Sequence, residues 1–239
     1  MKPIALIRML AGLMILSSCE DIWTNCIEGN NRSAEVVRPV RYFDRLQSTG
    51  AFDVFFTRAD TFSLRMIGEG NILRVIETSV VNNKLYLDVE DRICLRNTQP
   101  IHVFITAPGL KQIVLTGSGK IECDTLMESS LELRNTGSGD IGIGHLDASY
   151  LEASVLGSGD IEINGEAISS KMEILGSGDI RSLNLLQQEC DARILGSGNI
   201  FVNVVKTLEA RIIGSGNIYY KGNPRIHSQV TGSGNILRY

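Results

Sequence analysis

A five-residue phrase that recurs at nearly constant spacing dominates the second half of this chain. It reads Gly-Ser-Gly, then Lys, Asp or Asn, then Ile. Its seven copies begin at Gly117, Gly137, Gly157, Gly176, Gly196, Gly214 and Gly232, at intervals of 20, 20, 19, 20, 18 and 18 residues. A fixed period of this size is typical of small units stacked along one axis, so it constrains the fold more than any other feature.

The length of the period selects one kind of unit. Propeller blades and two-helix repeats need about 35–45 residues, whereas 18 to 20 residues fit one turn of a β-solenoid. Counting from the first glycine as position 0, apolar residues recur at −6, −4, −2, +4 and +6, and position −3 is mostly polar. This alternation predicts strands with one buried face. We expect Gly-Ser-Gly to turn the chain because glycine tolerates positive φ. Residues 111–239 are therefore predicted to form a regular parallel β-helix, or β-solenoid, of all-β class.

Residues 37–110 show a less regular strand pattern. Asn82-Asn83 lies between two apolar runs and predicts a hairpin turn. The segment Ser48–Val54 resembles a degenerate coil, in which we expect Phe52 and Val54 to occupy +4 and +6. Two interpretations remain open, an irregular N-terminal part of the same solenoid or a separate small β-sandwich. Either would cover the unpaired strand edges at the lower end of the repeats.

The first 18 residues have the features of an export signal. A basic start is followed by the apolar run Ile4–Leu16, which is too short to span a membrane comfortably, and then by Ser-Ser-Cys19. This order resembles the lipobox of bacterial lipoproteins. The resemblance implies a signal peptide over 1–18, a lipid on Cys19, and attachment to the outer membrane on its periplasmic or exposed face. The alternative is an ordinary signal peptide. Residues 19–36 are polar and are expected to form a tether.

The other cysteines divide into two pairs. Cys123 at +6 and Cys190 at −6 fall in inward columns and are predicted to be buried apolar fillers. Cys26 and Cys94 lie outside the repeats of an exported chain, and we predict a disulfide between them. No Cys and His residues have the spacing of a zinc site.

The +3 column raises the possibility of metal binding. It contains Asp140, Asp160 and Asp179, which would lie about 5 Å apart if the coils stack in register. A Ca²⁺ ion would relieve the repulsion between these charges. Alternatively, Asp and Asn side chains accept hydrogen bonds from turn N–H groups and stack as a ladder. We expect this second arrangement, and hence no metal and no other cofactor.

Two further columns are candidates for interaction surfaces. Position −1 carries four consecutive aliphatic residues, Leu156, Leu175, Leu195 and Ile213. We expect them to turn inward at the corner before the glycines. If they point outward instead, they form an apolar strip of the kind that marks interfaces. The +5 column ends in aromatic and aliphatic residues, and together with a neighbouring tyrosine the candidates are Phe201, Tyr219, Tyr220 and Leu237. Such side chains stack on sugars or pack against proteins, so we predict a face for a surface glycan or a partner chain.

Charge and motif chemistry narrow the functional classes. The net charge of −4 with both signs mixed argues against nucleic-acid binding. No His or Lys recurs beside the motif serines to activate them as nucleophiles. A carbohydrate-active β-helix enzyme would need an acid cluster with a basic residue in a cleft, and we find no such grouping.

The repeats finally point to a family. Together with Phe43-Asp44-Arg45-Leu46 before Gly50–Val54, and Tyr219–Pro224 before the last repeat, they resemble the putative auto-transporter adhesin, head GIN domain family over roughly residues 40–236. The resemblance implies a right-handed β-helix in the cell envelope and no established catalytic residues. We therefore expect a non-enzymatic lipoprotein that serves as an adhesin-like binding module, with self-association also possible. The alternatives are an accessory that packs against another envelope protein and, as the least favoured, a carbohydrate-active enzyme.

Overall fold

The computed structural model describes residues 25–239 and has an all-β solenoid architecture, as predicted. Sixteen of its strands form one continuous sheet that winds around a single core, and the other two pair with each other. The strands are β1 (Asn25–Glu28), β2 (Ser33–Arg38), β3 (Arg45–Ser48), β4 (Phe52–Arg58), β5 (Ser63–Glu69), β6 (Ile76–Val81), β7 (Lys84–Val89), β8 (Ile93–Arg96), β9 (Ile101–Ala107), β10 (Gln112–Leu115), β11 (Lys120–Asn135), β12 (Asp140–Val155), β13 (Ile161–Ile174), β14 (Ile180–Ile194), β15 (Ile200–Gly214), β16 (Ile218–Gly222), β17 (Arg225–Gly232) and β18 (Ile236–Arg238).

The five long strands β11 to β15 stack on one another in parallel, each following one copy of the repeated phrase. Equivalent positions lie in register, so that Ile141 pairs with Ile121 below it and Ile161 above it. These isoleucines form a ladder that is almost completely buried. Because burying an aliphatic side chain contributes about 1.5–3 kcal/mol, each ladder is a large part of the stability of the solenoid.

The Gly-Ser-Gly turns need glycine mainly for close stacking. Of the motif glycines, only Gly214 and Gly232 have a left-handed φ, at 138° and 126°. Elsewhere a Cβ would overlap the backbone of the coil below, as Gly178 would overlap the carbonyl of Gly159. Backbone hydrogen bonds join successive turns, for example from Ser177 N to the Gly157 oxygen at 3.0 Å. The expectation that positive φ explains the glycines was therefore wrong for most of them.

The N-terminal half continues the solenoid. Strands β3 and β4 lie in parallel beneath β10 and β11, and β7 and β9 lie in parallel beneath β3 and β4. The expected register was wrong by two residues, because Val54 and Phe56 lie under the +4 and +6 residues of the first repeat. Phe52 instead lies beneath the backbone of Gly119 and is fully buried. Gly50 thus occupies position 0 of this degenerate coil.

Antiparallel strands close the lower end of the solenoid. Strand β5 pairs with β9, β2 pairs with β5, and β6 pairs with β7. A short 3-10 turn, Leu73–Val75, precedes β6. The hairpin predicted at Asn82-Asn83 is confirmed, with φ values of 48° and 60° between β6 and β7. Much of the expected tether is also ordered, because β1 and β2 lie within residues 25–38 and find partner strands.

A disulfide and a buried carboxylate fasten the N-terminal strands. Cys26 and Cys94 are joined by a disulfide across the parallel pair β1–β8, with their Cα atoms 4.5 Å apart. Glu69 at the end of β5 is fully buried and accepts hydrogen bonds from Asn31 N at 2.6 Å and Thr98 N at 2.8 Å. Burial raises the pKa of the Glu69 carboxyl, but these hydrogen bonds together hold it below its ordinary value.

Candidate functional site

One outward face of the solenoid carries three of the four residues predicted to form a glycan or partner face, Phe201, Tyr219 and Leu237. It consists of the outward side chains at +5 and +7 that follow each Gly-Ser-Gly turn, and we call it the groove face. Strand pairing fixes its +5 column in one continuous order along the solenoid axis: Phe104, Phe55, Glu122, Gly142, Glu162, Arg181, Phe201, Tyr219 and Leu237. Rings therefore lie at both ends of the column, and polar residues and one glycine lie between them.

The predicted aromatic pair lies at the C-terminal end of this face. The rings of Phe201 and Tyr219 stack with centroids 4.8 Å apart and planes inclined by only 9°. Leu237 pairs with Tyr219 and is 42% exposed. Tyr220 does not join this surface, which corrects the expectation from sequence. It occupies the inward +6 position and packs against the hydrophobic core, because alternation places neighbours in a strand on opposite faces.

A second aromatic pair, missed in the sequence, lies at the other end. Phe55 and Phe104 stack with centroids 5.3 Å apart and an angle of 20°. The guanidinium of Arg65 lies 4.3 Å from the centre of the Phe104 ring, and Lys120 Nζ lies 5.1 Å from that of Phe55. The two phenylalanines are 49 positions apart in the chain, so only their alignment to the repeats would have brought them together.

Two depressions lie on this face between the aromatic pairs, and neither is lined by Phe55 or Phe104. One, of about 500 Å³, lies where Gly142 and Gly144 supply no side chains to the outward columns. The other, of about 290 Å³, includes Arg181, Phe201 and the exposed Tyr239 in its lining. Both are lined by Glu162 and Asn164, so the two depressions are adjacent, and we call them together the groove. A Cβ on Gly142 would meet only Glu122 Cγ, at 3.9 Å, so the floor of the groove is open there.

The Asp and Asn residues at +3 form a hydrogen-bonded ladder beside the groove. The Oδ1 atoms of Asp140 and Asp160 accept hydrogen bonds from the backbone N of the +3 residue in the next coil, at 2.9 and 2.7 Å. Asp179 Oδ1 accepts in the same way from Asn199 N at 2.8 Å, and amide side chains continue the ladder above it. Repulsion between the Asp residues is relieved by Arg181, which binds both Asp160 and Asp179.

The ladder leaves the carboxylates engaged with protein groups. The hydrogen bond to Asp160 raises the pKa of Arg181 above its ordinary value, so this cation stays charged. Within residues 25–239, no group of three or more His, Cys, Asp and Glu side chains is placed to hold a metal ion. The arrangement of the column is therefore the turn-capping ladder, in which Asp140, Asp160 and Asp179 each bind a backbone N–H.

The aliphatic −1 column corrects a second expectation. Leu156, Leu175, Leu195 and Ile213 point outward, and 37%, 46%, 44% and 50% of their surfaces are exposed. Strand alternation persists up to the glycines, so the −2 residues just before them, such as Ile194, are fully buried while the −1 residues face solvent. The corner is made by the Gly-Ser-Gly turn itself. We call these four residues the aliphatic strip.

The remaining candidates take no part in the groove. Cys123 and Cys190 are buried, as predicted, and burial raises the pKa of both thiols, that of Cys190 to about 12. The signal sequence over 1–18 and Cys19 lie outside the described residues. Among the residues that are described, no helix is long and apolar enough to cross a membrane.

Comparisons with known proteins agree with this architecture. The model of a family described as "Putative auto-transporter adhesin, head GIN domain" matches residues 42–224. A crystal structure of a putative adhesin from Bacteroides fragilis has a TM-score of 0.86 and 26% identity, covering 89% of this chain and all of that one. A putative lipid binding protein from Parabacteroides distasonis reaches 0.77 with 23% identity, covering 90% and 100%. A putative adhesin from Parabacteroides merdae reaches 0.73 with 19% identity, covering 90% and 99%. No curated protein sequence matches the chain.

Proposed function

The chain belongs to the putative auto-transporter adhesin, head GIN domain family, and from this premise we propose that it is a non-enzymatic envelope protein that binds surface glycans through the groove face. The adhesin names of the family and of the Bacteroides fragilis structure support a binding role. The observation that carries the proposal is the stacked pair of Phe201 and Tyr219 beside the groove.

The chemistry of this pair suits a sugar. An aromatic ring presents a negative face, which attracts the slightly positive C–H groups on one side of a pyranose ring. Carboxylate and amide groups next to the rings, such as Glu162 and Asn164, can accept or donate hydrogen bonds to sugar hydroxyls. An apolar platform with a few convergent polar groups is the usual composition of a small-molecule site.

Glycan binding is tested with a glycan array probed by residues 20–239 and by a variant carrying Phe201→Ala and Tyr219→Ala. We expect the wild-type protein to bind a restricted set of glycans and the variant to lose at least about tenfold in affinity. A tenfold loss corresponds to about 1.4 kcal/mol of binding free energy. Tyr150→Ala is the matched control, because Tyr150 is exposed away from the groove. Equal binding by all three proteins would refute the proposal.

We also propose that a lipid on Cys19 holds the solenoid at the outer membrane, where it meets other envelope components. The order of basic start, apolar run and cysteine in the sequence supports this anchoring. Cells supplied with an alkyne-labelled fatty acid should label the wild-type protein but not Cys19→Ala. Labelling of both proteins, or of neither, would contradict the anchor.

A second candidate function is favoured by the aliphatic strip. Four exposed aliphatic side chains in adjacent coils are suited to packing against another envelope protein. A photo-crosslinking residue at Leu195 should then yield one discrete conjugate in cells, whereas the same residue at Met127, which is exposed elsewhere, should not. A strip that crosslinks no more than Met127 would leave glycan binding as the sole role. Any new reducing ends after incubation with polysaccharides would instead indicate an enzyme.

A further inference from the structure

The last coil of the solenoid presents a free strand edge at the upper end. Strand β17 pairs in parallel with β15 below it, and no other strand within residues 25–239 pairs with it. The polar side chains that follow β17 do not cover this edge. Asn235 donates a hydrogen bond to the carbonyl of Ser233, and Arg238 donates one to the carbonyl of Gly222, both outside β17. The outer edge of β17 is therefore available to another strand.

The inward side chains of β17 are exposed where those of the coil below are buried. Ile212 and Val230 occupy the same −2 column, yet Ile212 is fully buried and Val230 is 44% exposed. Ile226 at −6 is only partly buried against the hydrophobic core, and Ser228 between them is exposed. The end of the core is thus open next to the free edge, and a strand added there would bury apolar surface as well as satisfy backbone groups.

From this end we infer that two copies of the chain associate head to head, with their β17 strands pairing antiparallel about a two-fold axis between facing Ser228 residues. The inference is independent of glycan binding. In this register Ile226 of one copy lies opposite Val230 of the other, on the inward face of both strands. The two cores then meet across the axis. A slip of one residue would place these apolar side chains opposite outward residues, so the pattern selects the register.

The outward side chains of β17 fit the same register. His227 would face Gln229 of the second copy, and Arg225 would face Thr231, so no two cations lie directly opposite each other. A suitable partner strand needs apolar residues four positions apart on one face and no cation facing Arg225. The strand β17 itself meets both requirements. A two-fold contact of this kind uses the same surface on both copies and closes as a dimer.

The lower end of the same face is protected against such pairing. There the outermost strand is β6, which pairs with β7 on one side. The guanidinium of Arg41 donates a hydrogen bond to the carbonyl of Val80 in β6, and Arg38 donates to Thr78 Oγ1 at 3.2 Å. A second chain would have to displace these arginines, and charged side chains are a usual means of protecting an edge strand. Head-to-head pairing of β17 is therefore favoured over head-to-tail stacking.

The test is sedimentation equilibrium of residues 20–239 from about 2 to about 200 µM, because mass action shifts the protein toward the dimer as concentration rises. We expect the mass to rise from one copy to two and then to level off. Ser228→Lys would place two cations opposite each other and should weaken the dimer at least about tenfold. Ser79→Lys, at an exposed position of β6, is the matched control and should leave association unchanged. Ser228→Val should tighten the dimer by adding apolar surface at the axis.

A cross-link tests the register directly. Facing Cα atoms in an antiparallel pair are about 4.5–5.5 Å apart, which is within the range that a disulfide spans. Ser228→Cys should therefore form a covalent dimer under mild oxidation, whereas Ser79→Cys should not. The native thiols of Cys123 and Cys190 are buried and do not compete.

Three results would overturn the inference. The first is a monomer at every concentration. The second is association that Ser79→Lys weakens and Ser228→Lys does not, which would place the contact at the lower end. The third is a mass that keeps increasing beyond two copies, which would indicate head-to-tail chains. Circular dichroism shows whether Ser228→Lys folds, and if it does not, the absence of a covalent dimer of Ser228→Cys refutes the pairing.

Discussion

Replacing two adjacent residues, Ile194 and Leu195, separates the buried ladder from the exposed strip. Ile194 is fully buried and pairs with Ile174 below it and Ile212 above it, whereas Leu195 is 44% exposed. Truncating a buried Ile to Ala costs about 2–5 kcal/mol, because contacts are lost and a cavity remains. Full burial of a Leu is worth about 1.5–3 kcal/mol, and little more than half of Leu195 is covered. Leu195→Ala should therefore cost less than about 1.5 kcal/mol.

The assay is equilibrium unfolding in urea of residues 20–239, followed by circular dichroism at several wavelengths. The two variants must share the wild-type slope, because stacked repeats can unfold in parts and the midpoints would then not compare. Arg211→Ala, at the exposed −3 position of the next coil, is the surface control and should change stability by no more than about 0.5 kcal/mol. Equal losses for Ile194→Ala and Leu195→Ala would mean that the aliphatic strip is buried, and the assignment of the outward columns would fail.

Three further predictions test other parts of the structure. The folded-state pKa of Glu69 is depressed, so its contribution to stability is present above about pH 4.3 and is lost as pH falls through the folded value. As the pH is lowered from 7 to 3, the urea midpoint should therefore fall less steeply for Glu69→Gln than for wild type. Cys123 and Cys190 are buried, so a thiol reagent at pH 8 should label neither until the protein is unfolded, when both should react. Gly178→Ala should destabilise the solenoid by about 1–3 kcal/mol through its clash with the coil below, whereas Gly142→Ala should be neutral in thermal unfolding.

The fold was predictable because the repeats carry the same information many times. Isoleucine at +4 in every copy, together with the 18- to 20-residue period, leaves one way to bury the apolar face. The N-terminal coil was harder to align. Phe52 is apolar and lies four residues before another phenylalanine, so the alternation alone allowed a shift of two positions. The antiparallel strands β2, β5 and β6 contain no copy of the repeat that would predict their positions. Which strands β2 and β5 pair with depends on contacts between residues distant in sequence.

The candidate site was predictable only in part. The column that contains Phe201 and Tyr219 followed from the repeat numbering. Tyr220 was grouped with them because aromatic residues cluster in the sequence there, yet strand alternation turns its ring toward the core. The pair of Phe55 and Phe104 needed a register that one sequence does not supply. The groove itself arises from an absence of side chains at Gly142 and depends on neighbouring coils to bound it.

The most direct test of the binding face is a crystal structure of residues 20–239 in complex with a glycan selected by the array. We predict electron density for a sugar ring against the pair of Phe201 and Tyr219, beside the groove. Density for the same sugar against the aliphatic strip, or on any surface outside the groove, would contradict the assignment of function to this face.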